Sequence, residues 1–265
     1  METYEYWAQD KVLSSIAAPA ARKSSSGFTT ILGSLLALAA AGLLFAGSAR
    51  ATPAQGKIKG TIGVKGELPK ILPLQITKDQ DVCKNVPNES LIVSPANGVQ
   101  NVVVLLEKVP AAALLGPARE HPVFRLTNQD CRFVPHVLVM QFNEDLEVSN
   151  MDPILHTART LQSEVNVGLF PGRTIRKEIG APRLGPAKIT CEIHPWMSAY
   201  VYLTDNPYYA VSDLHGEYEI DNVPPGKYRV RIWHELLGTE VGDIEVMPGK
   251  TSQFNFDFHS GQGPH

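Results

Sequence analysis

Residues 191–203 read CEIHPWMSAYVYL, with a cysteine, a histidine and a methionine at successive three-residue intervals and then an alternating apolar run. Strict alternation marks a half-buried strand, because successive side chains point to opposite faces. The three soft or basic side chains therefore share one short loop at the mouth of a strand.

The same texture extends in both directions. GKIKGTIGV, ESLIVS, NVVVLLEKV, HVLVMQF, LEVSN, AKITCEI, AYVYLTD, GEYEI, KYRVRIW, GDIEV and QFNFDF are short runs rich in Val, Ile, Tyr and Phe, separated by Gly, Pro, Asn and Asp. β-branched and aromatic residues at this spacing predict an all-β fold of sandwich or barrel type. AAALLG at 111–116 is the single helix-like patch.

With 265 residues the chain can hold one large or two small domains. A boundary is expected at TDNPYY, residues 204–209. Beyond it, alternating strands joined at Asn222–Gly226 and around Pro248-Gly249 predict a small antiparallel sandwich over 205–258, with 259–265 as a tail. Residues 52–122 read as a β segment packing on the core. They form either the first strands of the central sandwich or a module set against the C-terminal one.

The first 51 residues differ in kind. No charged side chain occurs from Ser24 to Ala49, Arg22-Lys23 precede the 19-residue run ILGSLLALAAAGLLFAGSA, and small residues flank Arg50. This pattern predicts a signal peptide cleaved after Ala51, hence a periplasmic protein, with an uncleaved membrane anchor as the alternative. The whole chain carries 24 basic and 27 acidic side chains, and residues 52–265 carry 20 and 24. Without a clustered basic surface, nucleic acid is excluded as an expected partner.

In an oxidising compartment three cysteines leave one over. Cys83 with Cys131 is the expected disulfide, because Cys191 lies in the ligand loop; three free buried thiols are the alternative. A thiolate and two imidazoles suit copper in a trigonal plane, with a thioether as a weak axial contact. Cys191, His194 and Met197 supply three of these groups, and His156, after a strand ending at Asn150 and a Pro-containing turn, offers the second imidazole. Taken singly, a cysteine or methionine before a strand is ordinary packing. It is the conjunction of four ligand types in this order that points to a metal.

The stretch CEIHPWM is similar to the copper loop of amicyanin-type cupredoxins. Residues 123–204 resemble a cupredoxin-like Greek-key sandwich, and 205–258, with GEYEIDNVPPGKYRVRIWHE, resemble a carboxypeptidase regulatory-like (transthyretin-like) sandwich. The combination resembles exported methylamine-utilisation or plastocyanin-like bacterial proteins. The resemblance implies one type 1 copper held by His156, Cys191, His194 and Met197, and electron transfer between donor and acceptor redox proteins. It also implies His194 as the surface exit for the electron, Pro195 as a restraint on the loop and Trp196 as an apolar docking contact. The chain departs from plastocyanin-like proteins at Thr157, where they carry Asn, which leaves open the hydrogen bond to the thiolate.

His136 could replace His156 or join His234 and Glu235 in a second metal site. Each has a bland reading, as a histidine near the disulfide and as a strand-end pair. His234-Glu235 begins like a zinc-protease motif but lacks the second histidine, since Gly238 stands there. His215, His259 and His265 read as surface or tail positions. With no Gly-x-Ser-x-Gly, P-loop or haem motif, no catalytic residues are expected. A binding or structural module that stores copper, and a copper enzyme, are the competing classes.

Overall fold

The computed structural model of the chain describes residues 53–114, 123–142, 144–160, 165–178 and 183–259. The expected leader, residues 1–51, and His265 lie outside the described residues. Among those described, no helix is long and apolar enough to cross a membrane.

The fold is all-β. It opens with β1 (Gly56–Lys65), β2 (Val103–Glu107) and one short helix, α1 (Ala111–Leu114). A middle block follows: β3 (Phe124–Gln129), β4 (Arg132–Val134), β5 (Val137–Gln141), β6 (Asp145–Asn150), β7 (His156–Thr160), β8 (Asn166–Leu169), β9 (Thr174–Glu178), β10 (Gly185–Thr190) and β11 (Ser198–Thr204). The chain ends with β12 (Tyr209–Val211), β13 (Glu217–Val223), β14 (Gly226–His234), β15 (Gly238–Val246), β16 (Thr251–Gln253) and β17 (Phe256–His259).

The middle block closes on itself. One sheet has the order β5-β11-β10-β7-β8, the other β4-β3-β6-β9. Alternate residues of their facing sides, among them Leu126, Phe133, Met140, Val148, Ala158, Ile189, Ala199, Val201 and Leu203, form a common core.

The first and last parts of the chain build the second sandwich together. β1 lies between β13 and β16 and also pairs β17, while β2 lies between β12 and β14 in the order β12-β2-β14-β15. The sequence predicts a small sandwich over 205–258 with 52–122 as a β segment packing on the core; in the structure β1 and β2 are strands within the same sheets as β12–β17. The reason is in β14, which hydrogen-bonds β15 along one edge and, from Arg229 to Trp233, needs β2 along the other. β1 supplies Ile58, Ile62 and Val64 to the shared core. Its glycines have a packing role: a Cβ on Gly60 would lie 1.8 Å from the carbonyl oxygen of Phe254.

β2 explains its own unbroken apolar run. Val104 and Leu106 point into the C-terminal sandwich, whereas Val103 and Leu105 point outward against Val137, Val139, Tyr202 and Trp233. A strand covered on both faces cannot alternate with polar residues. Each of these side chains contributes about 1.5–3 kcal/mol on burial, as an upper bound. The two sandwiches thus share an aromatic seam, with Trp233 lying 5.1 Å from Tyr200 and 5.5 Å from Tyr202, ring to ring.

Between β1 and β2, residues 66–102 run as an irregular strap. ESLIVS, expected as a strand, makes only an isolated bridge between Val93 and Val99. The strap lays Leu91, Val99 and Val102 on the C-terminal core, and Ile76, Cys83 and Val86 on the other. Cys83 is disulfide-bonded to Cys131 at the turn between β3 and β4, as expected from sequence. Closing a loop of 48 residues removes chain entropy worth about 4 kcal/mol from the unfolded state.

Candidate metal centre

The hairpin β10–β11 carries the ligand loop. Thr190 pairs with Ser198 as the last ladder pair, the Cys191 N–H donates to the Met197 carbonyl at 3.2 Å, and the Met197 N–H donates to the His194 carbonyl at 2.9 Å. Cys191 and Met197 therefore close the loop at its base, with His194 at the apex. Pro195 lies exposed beyond it.

His156 arrives by a different route. β6 ends at Asn150, whose side-chain amide donates to the carbonyls of Ile154 and Leu169, both at 2.8 Å. The Asn150 Oδ1 accepts the Asp152 N–H at 3.0 Å. This pinned turn delivers His156 as the first residue of β7.

The two segments bring three donor atoms together. His194 Nδ1 lies 3.0 Å from His156 Nδ1, and Cys191 Sγ lies 3.6 Å and 4.0 Å from them respectively. All three residues are buried, His194 completely at 0 % exposure. The far nitrogens fix the tautomers. His156 Nε2 faces Asp152 Oδ2 at 2.9 Å, and His194 Nε2 faces Asp79 Oδ2 at 2.8 Å. A carboxylate only accepts, so each ring donates from Nε2 and each Nδ1 turns a lone pair toward the other and toward the sulfur. Two lone pairs at this distance repel unless a cation lies between them. Thiolate with two neutral imidazoles, each backed by a carboxylate, is a donor set that fits copper or zinc.

The sulfur is prepared as a thiolate. Burial raises the Cys191 thiol, but contact with the His156 ring, the Thr157 N–H and hydroxyl, and the His194 backbone outweigh it and lower the pKa from 9.0 to about 6. The Thr157 N–H donates to Sγ at 3.3 Å and its hydroxyl at 3.6 Å. Thr157 Oγ1 also accepts the Glu192 N–H at 2.7 Å, which ties the two ligand segments together. The bond left open by the departure from Asn is made here by threonine.

Met197 is buried in the same core as Cys191, and with Trp196 and His136 it lines a small cavity of about 50 Å³. One expectation changes: His194 is fully buried and does not reach the surface, its Nε2 facing Asp79 of the strap. Trp196 is half-buried; its ring lies 5.0 Å from that of His194, and its Nε1 donates to the Cys131 carbonyl at 3.3 Å.

The other candidates lie elsewhere. His136 Nε2 pairs closely with Glu235 Oε1 across the seam. His234 Nδ1 accepts the N–H groups of Leu236 and Leu237 at 3.2 Å and 3.3 Å, and burial, then the neighbouring His136, lower its pKa to about 4. Among the described residues, the groups of three metal-type donors are His156, Cys191 and His194, and Cys131, Asp152 and His156. His136, His234 and Glu235 form no such group, and His136 does not replace His156. In the second group Cys131 is already in the disulfide, and Asp152 accepts the N–H groups of Asp130 and Cys131 besides His156.

Sequence alone does not single out the two carboxylates. Asp152 stands four residues before His156, a spacing that could have suggested it; Asp79, 115 residues from His194, left no such signal.

Neither protein-family models nor curated proteins give a match to this chain. Solved structures do, each over about a third of it. The Cu-containing nitrite reductase NirK from Thermus scotoductus SA-01 is similar at 21% identity over 35% of this chain, with a TM-score of 0.29; the match spans only 25% of the reductase. A purple cupredoxin from Nitrosopumilus maritimus matches at 18% identity over 31% of this chain and 99% of its own, with a TM-score of 0.26. The reduced state of an amicyanin variant matches at 12% identity over 38% and 98%, with a TM-score of 0.28.

Proposed function

We propose that the protein is a periplasmic type 1 (blue) copper protein, built on a cupredoxin-like sandwich, that carries single electrons between a donor and an acceptor protein. The convergence of Cys191 Sγ with the Nδ1 atoms of His156 and His194 supports this reading most. The buried thioether of Met197 favours copper over zinc, whose sites use nitrogen, oxygen and thiolate donors. Those four residues would hold the ion, which when bound supplies a one-electron couple. The chain itself contributes a fixed donor geometry: two rings locked by carboxylates, a loop closed on itself and a sulfur held by Thr157.

The partners would meet the protein near this end. Met151, Leu155 and Phe170 are exposed on turns joined by the Arg173 N–H to Phe170 and Gly172 N–H to Asn150 bonds, beside the segment that delivers His156. A small apolar patch suits a weak, fast-dissociating contact. The second sandwich, carboxypeptidase regulatory-like in this reading, would hold the carrier to an envelope partner, with membrane contact only if residues 1–51 stay uncleaved.

A second reading, a module in which copper is stored or structural, is favoured by the burial of His194 under Asp79. Copper titration separates the two. An electron carrier binds one copper per chain, turns intensely blue, bleaches reversibly with reductant and exchanges electrons quickly with a small soluble redox protein. One copper bound without colour, or colour without exchange, supports storage.

A further inference from the structure

One contact of the candidate centre comes from outside the sandwich that carries it. Asp79 belongs to the strap, and its carbonyl accepts the N–H groups of Val82 at 2.9 Å and Cys83 at 2.8 Å. Cys83 is in turn covalently fixed to Cys131. The turn is thereby anchored four residues beyond the carboxylate that meets His194. Asp152, the counterpart on His156, is 8 % exposed and shared with two backbone N–H groups, whereas the Asp79 side chain is 43 % exposed and has His194 as its one hydrogen-bond partner on the centre.

We infer that Asp79 is a positioning residue of the metal centre: it holds His194 with its Nδ1 lone pair inward, and its charge favours the oxidised over the reduced ion. The inference rests on the copper reading above. A carboxylate against a ligating imidazole raises the basicity of the ring, and a negative charge beside the ion stabilises the more positive state more strongly. Loss of such a partner changes metal affinity about 10–100-fold. The strap, through Asp79, is therefore part of the site, and the covering of His194 is a tuned contact.

Asp79→Asn removes the charge but keeps an acceptor; Asp79→Ala removes both. In the metal-free protein, heteronuclear NMR should place the His194 proton on Nε2, and Asp79→Ala should abolish that preference. In the copper-loaded protein, Asp79→Asn should stay blue while its preference for the oxidised ion falls about tenfold, a rise in midpoint potential of about 59 mV for a one-electron couple. Asp81→Asn, on the exposed part of the same turn, should shift the potential much less. Equal shifts in the two Asn variants, or a proton on Nδ1 of His194 in the metal-free wild type, would overturn the inference. A colourless wild type with the proton on Nε2 would sink the copper reading and still support the positioning by Asp79.

Discussion

Thr157 shows how little of the proposed metal site need be metal ligand. Its N–H and hydroxyl both face Cys191 Sγ, so the sulfur gains two donors that favour its charged form against the cost of burial. Thr157→Val keeps the shape and the N–H but removes the hydroxyl. In the metal-free protein, the pH midpoint of thiolate ultraviolet absorption should rise from about 6 but stay below the ordinary 9.0. The sign follows from linkage: a thiol lowered in the fold adds stability that is complete above 9.0 and lost as the pH falls through about 6. An unmoved midpoint would mean that the N–H and the His156 ring suffice. Cys191, His194 and Met197 were legible because a hairpin loop brings sequence neighbours together, and His156 because a strand end and a turn precede it. Asp79 and the cover it forms over His194 were not, since a carboxylate is common on any surface and its partner is 115 residues away.

Elements were legible where their polarity alternates or vanishes. β11 sends Ala199, Val201 and Leu203 to one core and Tyr200 and Tyr202 to the seam, as its alternation implies. β9 carries no strand signal, because Thr174–Glu178 lies at a sheet edge with most of its side chains in water. ESLIVS has the composition of a strand but makes only the isolated bridge from Val93 to Val99. At the end of β14, His234 makes a prediction about the seam. Its pKa is lowered to about 4, so below pH 6.5 the unfolded chain takes up a proton that the folded one refuses. Stability should be full above pH 6.5 and decline to about pH 4, by on the order of 3 kcal/mol. Urea denaturation across this range should show the decline in the wild type and a flatter profile in His234→Gln. Parallel profiles would assign the acid sensitivity to other groups.

At the scale of the molecule, the described chain starts in one sandwich with β1 and β2, builds the other between β2 and β12, and returns to finish the first. Composition and turn spacing made the all-β class legible, because they reflect local physics. The interleaving was not, since parallel pairing of β1 with β16 and β17 joins residues almost 200 positions apart. It predicts that residues 205–265 expressed alone stay unfolded, lacking β1 and β2, with little dispersion in their NMR spectrum. A folded fragment would show that those strands are dispensable. The proposed copper centre is open to a more decisive trial. Copper-loaded wild-type protein should show the intense visible absorption of a thiolate–copper bond, and Cys191→Ser, folded to the same far-ultraviolet spectrum, should bind copper more weakly and without that band. A band that persists in Cys191→Ser, or one that never forms in the wild type, would contradict a blue copper site at Cys191.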